Sequence, residues 1–381
     1  MIDQFNMQNI ELLLENGYDV DVACNFKVGS NCSEKRIAEL LKVLTEKNVN
    51  AFQIDFSRNV FNIIKDIVAI KQTNAVMKNN ANSINKARII ESYKYCIVHS
   101  HSPIGGIVGR LVAKRNGVKN IYTAHGFHFY KGGALKNWFL FYPIEKFFSV
   151  ITDVLITINE EDYELARKQF KAKKTYKIPG IGLDMSKFQI QKFDREAYRR
   201  KLGLSDKNFM ILSVGELNEN KNHKLVIQAI SKMKDESVHY YIAGVGKNKD
   251  EYEELIRKLK IDNQVHLLGY RTDIAELNYC ADVFAFPSIR EGLGMAALEA
   301  LACGTPVCGM DTRGIKEYVI NGQTGYIFEN NVEDCINSLE QIIRMDKWQI
   351  EQMKENCKKM AQRYSIEKTN EIMRDIYRKV D

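Results

Sequence analysis

Two glutamates in the last third of the chain stand where acidic groups could bind a ligand. Glu291 and Glu299 occur in the segment REGLGMAALEALACGTP, and Gly292 and Gly294 follow the first glutamate closely. An apolar strand-like run precedes the segment, and a run of good helix formers begins near Met295. Because the N-terminus of a helix offers unpaired N–H groups and a partial positive charge, this junction suits a phosphate.

The spacing of the two carboxylates favours a nucleoside diphosphate-sugar as the ligand. Glu299 lies about one turn inside the predicted helix, where its carboxylate can accept two hydrogen bonds from a vicinal diol such as a ribose. Glu291 lies in the loop, on the other side of the phosphates, where sugar hydroxyls could lie. The spacing alone leaves an alternative open, which is an amphipathic helix with a glycine-rich first turn and one exposed glutamate.

Basic side chains elsewhere could complete such a site. Lys221, in GELNENKN, stands at the start of a predicted helix and could neutralise a leaving diphosphate, although a solvated loop lysine is the ordinary alternative. His125 ends the strand-like run KNIYTAHG and points toward the predicted cleft, although a histidine beside a glycine and aromatics is more often packed in a core. His99 and His101 share one face of a strand without a third ligand, so no metal site is predicted.

Apolar runs typical of strands alternate with helical patterns along most of the chain, which predicts parallel sheets covered by helices. The alternation stops in GIGLDMSKFQIQKFDREAYRRKLGLSDKN and then restarts. We therefore predict an α/β protein with two doubly wound domains, residues 1–188 and 189–362, followed by a helix over 363–381 that packs back on the first domain. Sheets of this kind place ligands at the C-terminal ends of their strands, so we expect a cleft between the domains.

The first predicted element is a helix, whereas a domain of this type normally opens with a β-strand. The sequence therefore predicts that the first strand of the first domain is missing. Gly244 and Gly246 follow a strand but lack the third glycine of a nicotinamide-binding fingerprint. Eight cysteines without a C-x-x-C pair are typical of a reduced cytosolic protein.

Charge is distributed unevenly along the 381 residues. The net charge is +7, with a surplus of ten positive charges in residues 1–200 and of three negative charges in the remainder. This asymmetry suggests an anionic partner for the first half, although a solvated lysine-rich surface remains an alternative. In YKGGALKNWFLFYPIEKFF, four aromatics either face an anionic membrane or belong to the core, namely Trp138, Phe139, Phe141 and Tyr142. Charged residues interrupt this stretch, so no membrane-spanning helix is predicted.

Together these segments resemble a known family. EGLGMAALE with the following ALACGTPV resembles the E-x7-E signature of retaining glycosyltransferases of family 4, whose GT-B fold has two Rossmann-like domains facing across a cleft. FMILSVGELNENKNHKLVIQAI, HLLGYRTDI, YTAHGFHFY and PGIGLDMSKF match further family segments, so the resemblance covers almost the whole chain. IDFSR, HSHSPIGG and TAHGFHFYKG are most similar to the capsule and exopolysaccharide branch.

The resemblance implies roles for individual residues in donor binding. Glu299 corresponds to the ribose-binding glutamate, Glu291 to the glutamate beside the donor sugar, and Lys221 to the diphosphate-binding lysine. His125 corresponds to the histidine that contacts the donor sugar near the reacting carbon, and with Glu291 and Lys221 it forms the predicted catalytic set. The remaining predicted donor-binding residues are Gly215, Tyr270, Arg271, Gly292, Leu293, Gly294 and Met295.

One position departs from the family pattern. Most members have arginine where this chain has Glu216, so we expect a basic residue elsewhere, Arg290 or Arg271, to meet the second phosphate charge. On the acceptor side the resemblance suggests His101, Gly105 and Gly106, with helix–strand packing as an equal explanation of the glycines.

The implied reaction is transfer of a sugar from a nucleotide diphosphate-sugar, UDP-linked by expectation, to a hydroxyl of a lipid-linked saccharide, with retention. We expect no metal and no cofactor, since the nucleotide-sugar is a substrate, and no nucleic-acid partner. We expect the protein in the cytoplasm, at the inner face of the cell membrane. Two alternatives are a nucleotide-sugar epimerase and a non-catalytic nucleotide-sugar-binding protein; the E-x7-E signature argues against the first, and the missing strand keeps the second open.

Overall fold

A computed structural model describes residues 2–27, 33–57, 62–79, 81–87, 94–190 and 192–380. The chain forms two compact units. Unit 1 consists of Met1–Ile181 together with Thr369–Asp381, and unit 2 consists of Gly182–Lys368.

Unit 1 alternates short strands with longer helices, as the sequence pattern predicts. Its elements are α1 Ile2–Phe5, α2 Met7–Glu15, β1 Asp21–Cys24, α3 Glu34–Glu46, β2 Asn50–Gln53, α4 Ile63–Met77, β3 Ile97–His101, α5 Pro103–Asn116, β4 Lys119–Ala124, α6 Leu135–Ser149, β5 Val154–Thr157, α7 Glu160–Gln169 and β6 Lys174–Lys177.

The strands of unit 1 form two parallel sheets among the described residues. One sheet has the order β3-β4-β5-β6, and the other consists of β1 and β2. All pairings are parallel, with Ile97 opposite Lys119 and Asp21 opposite Asn50. Every residue of β5 is buried, as expected for a parallel strand that helices cover on both faces.

Unit 2 continues the same alternation. Its elements are α8 Arg195–Lys201, β7 Phe209–Val214, α9 His223–Met233, β8 Val238–Ala243, α10 Lys249–Leu259, β9 Val265–Gly269, α11 Ile274–Cys280, β10 Val283–Phe286, α12 Met295–Ala302, β11 Val307–Met310, β12 Gly325–Phe328, α13 Val332–Ile343 and α14 Lys347–Gln362, with 3-10 turns at Met185–Phe188 and Ile315–Glu317. The last helix, α15 Ile366–Val380, is shared by the two units.

The sheet of unit 2 is doubly wound, with the order β12-β11-β10-β7-β8-β9. The strand order reverses between β7 and β10, which are direct neighbours. In open parallel sheets ligands bind at this switch point, beyond the carboxyl ends of the strands. The fold therefore confirms the predicted α/β architecture and adds β12, whose short sequence GYIF carries no clear strand pattern.

The observed unit boundaries differ from the predicted divisions after residues 188 and 362. The Leu183 N–H donates to the Tyr364 carbonyl at 2.8 Å, and the Ile366 N–H donates to the Leu183 carbonyl at 3.0 Å. The turn Met185–Phe188 also contacts α12. These backbone bonds hold Gly182–Phe188 on unit 2. Helix α15 begins in unit 2 and ends in unit 1, where the Tyr377 hydroxyl lies 2.8 Å from His99 Nδ1.

Candidate active site

Apart from Tyr270 and Arg271, the residues predicted to bind the donor lie at the switch point of the unit 2 sheet. Gly215 follows β7 directly, and the loop with Glu291 connects β10 to α12. Because β7 and β10 are adjacent and parallel, their carboxyl ends bring these two loops together. Lys221, six positions after Gly215, lies at the end of the β7–α9 loop.

Lys221 and Glu291 form an ion pair between the two loops. Lys221 Nζ lies 2.6 Å from Glu291 Oε1, and the two side chains are 23% and 15% exposed. The ammonium also lies 5.0 Å from the centre of the Phe286 ring. A largely desolvated cation beside a ring face can attract an anion more strongly than one in water. The predicted lysine and the predicted loop glutamate are therefore neighbours.

Close packing of glycine backbones underlies the loop that carries Lys221. A Cβ atom on Gly215 would lie 3.3 Å from Cδ and Cε of Lys221. A Cβ on Gly244 would lie 1.8 Å from the Gly215 carbonyl oxygen, and one on Gly246 would lie 2.3 Å from that of Leu217. The glycines that failed the nicotinamide fingerprint thus let the loops after β7 and β8 approach each other.

Replacing Gly244 with alanine is expected to destabilise unit 2 by about 1–3 kcal/mol, because the added methyl must displace backbone rather than a flexible side chain. Thermal unfolding measures the effect. Gly105→Ala is the control, since its Cβ meets only the Ser102 side chain, at 3.1 Å. Equal melting temperatures for the Gly244 variant and the parent protein would contradict the packing argument.

The start of α12 has no side-chain cap. Gly294 precedes the helix in the left-handed region (φ +87°), and no side chain caps the helix there. A Cβ on Gly294 would lie 2.7 Å from the Phe286 ring, so the position requires glycine. The Tyr318 hydroxyl donates to the Leu293 carbonyl at 2.7 Å and fixes the loop. Leu293 is buried and Met295 is half-buried.

Three residues that the sequence reasoning missed hold the Glu291 loop. Asn220 Nδ2 donates to the Arg290 carbonyl at 3.0 Å. Arg313, only 6% exposed, donates from Nε to the Glu291 carbonyl at 3.2 Å. A Cβ on Gly314 would lie 2.5 Å from the Gly292 oxygen. For the last two of these residues the signal available in the sequence was an arginine–glycine pair that begins three positions after an apolar run ends.

Glu299 presents a largely buried carboxylate inside the first turns of α12. Burial raises its pKa to about 7, and Lys187 opposes this shift. Among the described residues, no group donates a hydrogen bond to this carboxylate. A buried carboxylate of this kind gains most from a ligand that brings its own donors, such as a diol.

The residues predicted to lie near the nucleobase and the second phosphate have different surroundings. Tyr270, which follows β9, is 77% exposed and presents its ring to solvent. Arg271 pairs with Asp273, and its guanidinium donates to the Tyr198 hydroxyl at 3.0 Å. Arg290 is exposed, as is Glu216. Arg313 adds a third basic residue to the two that were expected to replace the family arginine.

Unit 1 contains the predicted histidines at the carboxyl edge of its larger sheet. His101 ends β3 and His125 follows β4, and Nδ1 of the first lies 3.1 Å from Nε2 of the second. Burial lowers the pKa of His125 to about 4 and that of His101 well below its usual value. Both rings are therefore neutral near pH 7, and each ring has one nitrogen that can donate a hydrogen bond and one that can accept one.

The glycines of the predicted acceptor side have different surroundings. A Cβ on Gly106 would lie 2.4 Å from the Tyr122 ring, so helix–strand packing explains this residue. Gly105 lines a groove beside β3. His99 is held by Tyr377 and by Thr123, whose hydroxyl lies 2.8 Å from Nε2. Among the described residues, no group of three or more His, Cys, Asp or Glu side chains could hold a metal ion.

The four aromatic side chains of α6 differ in their burial. Trp138, Phe141 and Tyr142 pack against a buried cluster that includes Phe129, which corrects the membrane expectation for these three. Phe139 is 81% exposed. It shares one face of the helix with two further exposed apolar residues, Leu135 and Phe147, and Val150, directly after the helix, is exposed as well. Among the described residues, no helix is both long and apolar enough to span a bilayer.

Comparison with known proteins agrees with this architecture. A family model described as glycosyl transferases group 1 matches residues 194–363, and one described as glycosyl transferase 4-like matches residues 4–159. The chain is 39% identical over 298 residues to the putative glycosyltransferase EpsD of Bacillus subtilis, which covers 76% of this chain and 78% of the relative.

A second relative matches along nearly the whole chain. It is the UDP-Gal:alpha-D-GlcNAc-diphosphoundecaprenol alpha-1,3-galactosyltransferase of Escherichia coli, 27% identical, covering 99% of this chain and 93% of the relative. Among solved structures, Anabaena HepE in complex with UDP and glucose superposes with a TM-score of 0.71 at 17% identity, covering 95% and 99% of the two chains. The lipopolysaccharide glycosyltransferase WaaG superposes with a TM-score of 0.68 at 17% identity, covering 98% and 95%.

The parallel α/β architecture of both units and the solved structures that superpose on the chain show the GT-B fold. The sequence matches then place the protein: the chain belongs to glycosyltransferase family 4. It is accordingly an enzyme of the hexosyltransferase type.

Proposed function

We propose that this enzyme transfers a sugar from a UDP-sugar to a hydroxyl of a lipid-linked saccharide, with retention of configuration, in capsule or exopolysaccharide synthesis. The observation that carries the proposal is the ion pair of Lys221 with Glu291 beside the uncapped start of α12, at the switch point of the unit 2 sheet. A cation and a helix N-terminus at one point suit a diphosphate.

The donor assignment rests on chemistry and on a relative. In this proposal Glu299, whose carboxylate is largely shielded from water one turn into the same helix, accepts hydrogen bonds from a ribose diol. The Escherichia coli relative carries UDP-Gal in its name. Tyr270, exposed at the end of β9, is proposed to face the nucleobase.

The proposed reaction needs positioning and electrostatics rather than a protein nucleophile. The donor C1–O bond to the diphosphate breaks while the acceptor oxygen bonds to C1 on the same face. The acceptor hydroxyl proton passes to the departing phosphate oxygen. Lys221 and the N–H groups at the start of α12 stabilise the negative charge that develops on the diphosphate. In this proposal neither a metal nor a cofactor takes part.

The loop beside the leaving group is held by two neighbouring side chains. Arg313 and Asn220 hold the carbonyls of Glu291 and Arg290, so the loop that carries Glu291 keeps one geometry. With Lys221 engaged by Glu291 in the free enzyme, the donor diphosphate takes over this cation on binding. Glu291 is thereby released toward the sugar hydroxyls. His125 remains our prediction for a further contact with the donor sugar.

A donor screen tests the proposal directly. Thermal shift is measured with UDP-, GDP- and ADP-sugars, with EDTA present throughout, and each hit is tested for transfer to a lipid-diphosphate-linked saccharide. We expect stabilisation by UDP-sugars, and a product whose anomeric proton coupling in NMR matches that of the donor. Sugar isomerisation without acceptor would instead indicate the epimerase, and nucleotide binding without turnover would indicate a non-catalytic binding protein.

The acceptor proposal includes contact of α6 with an anionic membrane. The exposed apolar face of α6 also carries Lys146, and Lys136 lies beside it, so apolar burial and charge attraction act together. The Escherichia coli relative acts on a diphosphoundecaprenol-linked sugar by its name. We place the enzyme at the inner face of the cell membrane on these grounds.

Replacing Phe139 and Phe147 with serine is expected to lower binding to vesicles containing phosphatidylglycerol by about tenfold or more, because two exposed aromatic rings no longer enter the interface. Liposome flotation measures the bound fraction. Trp348→Ser is the matched control, since this aromatic is 71% exposed on α14 of unit 2. Equal flotation of the α6 variant and the control would count against membrane contact through α6.

A further inference from the structure

Three imidazole rings lie together at the carboxyl edge of the larger sheet of unit 1. His99 and His101 lie on the same face of β3, since side chains alternate along a strand, and their ring centres are 4.3 Å apart. His125 follows β4 directly, and its ring centre lies 5.3 Å from that of His101. The pairing of β3 with β4, in which His101 lies opposite Thr123, brings this third ring to the other two.

The ring of His101 lies against a neighbour that is itself firmly held. Both nitrogens of His99 are engaged, since Nδ1 lies 2.8 Å from the Tyr377 hydroxyl and Nε2 lies 2.8 Å from the Thr123 hydroxyl. Burial lowers the pKa of His99 to about 3, so this ring is neutral at ordinary pH. His101 belongs to the paired part of β3, and its ring therefore contacts a surface that α15 and β4 keep in place.

The residue after His101 has an unfavourable backbone conformation. Ser102, which caps α5, has φ +67° and ψ 159°, a region that favours glycine. Its hydroxyl oxygen accepts from the Gly105 N–H at 3.4 Å, and its carbonyl accepts from the Gly106 N–H at 2.8 Å. Strained residues persist where their surroundings hold them, and they are frequent at functional sites. The strain therefore draws attention to the strand end that carries His101.

His125 lies on a loop and has less support of its own. Strand β4 ends at Ala124, and Gly126 turns the chain with φ +117°. His125 Nε2 lies 3.1 Å from His101 Nδ1, and within the described parts of the chain neither ring makes a second hydrogen bond. The strand-borne ring of His101 thus orients the loop-borne ring of His125, whose Nδ1 is left for a ligand.

The contact between the two rings restricts where their protons lie. Burial lowers the pKa of His125 to about 4 and that of His101 well below its usual value, so both rings are neutral near pH 7. A hydrogen bond between neutral imidazoles needs a proton on one facing nitrogen and a lone pair on the other. Each ring carries its single proton on Nδ1 if His101 donates, and on Nε2 if His125 donates. The two rings therefore have the same tautomer.

We propose that His101 is a positioning residue, which shares one proton with His125 and thereby fixes the orientation and the tautomer in which His125 Nδ1 meets a hydroxyl of the donor sugar. The hydrogen bond made by one ring nitrogen decides whether the other nitrogen donates or accepts. A ring that is already oriented also loses less freedom when the sugar binds. The sugar contact of His125 rests on the proposed function, whereas the shared proton does not.

The first test measures the tautomers in the enzyme without any sugar nucleotide. The histidine rings are labelled with nitrogen-15, and long-range proton–nitrogen correlation near pH 7 distinguishes protonated from unprotonated nitrogens. Variants that lack His101 or His125 assign the signals. We expect a single tautomer for each ring and the same tautomer for both. Different tautomers in the two rings, or a mixture in the parent enzyme, would overturn the shared proton.

Two substitutions of His101 separate its hydrogen bond from its bulk. His101→Leu keeps an apolar side chain without a hydrogen-bonding group, so we expect His125 to become a mixture of tautomers. In His101→Asn the side-chain amide takes the place of Nδ1 and can donate or accept, so a single tautomer of His125 should remain. An unchanged His125 spectrum in His101→Leu would overturn the proposal. The melting temperature of each variant is measured alongside.

The same variants test the effect on the reaction. We expect His101→Leu to lower kcat/KM for the sugar nucleotide by about 3- to 10-fold, the effect of one neutral hydrogen bond, and His101→Asn to stay within about twofold of the parent. His266→Leu is the matched control, because His266 belongs to a second imidazole pair, with His239 in unit 2 at 3.3 Å. It should leave both kcat/KM and the His125 signals unchanged.

The outcomes of the kinetic series distinguish this proposal from the proposed function. Equal losses of kcat/KM in His101→Leu and His101→Asn, or no loss in His101→Leu, would overturn the positioning role. Absence of transfer by the parent enzyme would overturn the proposed function and with it the sugar contact of His125. The measurement on the enzyme without sugar nucleotide would then still decide whether the two rings share a proton.

Discussion

Replacing Lys221 with alanine is expected to lower the turnover of sugar transfer by about 10²–10³-fold, the effect typical of losing one electrostatic contact to a developing anion. The ammonium lies 2.6 Å from Glu291 Oε1 and is 23% exposed, so its charge is poorly screened by water. The loss should fall mainly on turnover, because charge on the diphosphate increases as the bond to C1 breaks. Single-turnover kinetics with saturating donor measure it.

The ion pair requires two controls in this experiment. The first control is Lys224→Ala, which also removes one positive charge. Lys224 forms an exposed ion pair with Glu251 at 2.8 Å, so this variant should keep its turnover within about twofold of the parent enzyme. Lys221→Ala leaves the Glu291 carboxylate without its counter-charge, so the melting temperature should also fall. Adding Glu291→Gln should restore the melting temperature but not turnover. Turnover within threefold of the parent for Lys221→Ala would remove this lysine from the site.

Replacing Glu299 with glutamine is expected to weaken binding of the sugar nucleotide by about 10- to 100-fold at pH 8, the range for losing hydrogen bonds to a charged group. The parent enzyme should show a pH dependence that the variant lacks. Burial gives Glu299 a pKa of about 7 in the free enzyme, and donation by a ribose diol lowers this pKa in the complex.

The sign of the pH effect follows from this difference in pKa. Below pH 7 the free carboxyl group is protonated and must release its proton on binding, so affinity falls as the pH falls from about 7 toward the pKa of the complex. Above about pH 8 affinity is constant. The pKa of His125 is about 4, and burial lowers the pKa of His223 to about 3, so neither titrates in this interval.

Isothermal titration from pH 6 to pH 8.5 measures this dependence. An intact sugar nucleotide is used, because the terminal phosphate of a free nucleoside diphosphate would titrate in the same interval. Glu333→Gln, the same substitution at an exposed position in α13, is the control and should keep both the affinity and the pH profile of the parent. A parent profile that is flat over this range would contradict the assignment of Glu299 to the diol.

Local sequence patterns were sufficient to predict the architecture and the two loops that meet after β7 and β10. Short runs of consecutive apolar residues such as VLITI indicate strands that are buried on both faces, and the structure contains a parallel strand at each of them. The glycines around Leu293 mark a turn before α12 because φ +87° at Gly294 is unfavourable for other residues. The boundary between the two units after Ile181 was less predictable. It depends on two backbone hydrogen bonds that Leu183 makes with Tyr364 and Ile366, which are distant in the sequence.

What the sequence by itself determined is therefore the order of strands and helices, the loops that carry Glu291 and Lys221 and the helix that carries Glu299, because helix and strand periods are properties of neighbouring residues. Only the tertiary structure decided which of these groups meet. Lys221 pairs with a residue 70 positions away, and Arg313 reaches the same loop from a third segment. Burial, which depends on every surrounding element, sets the pKa of Glu299.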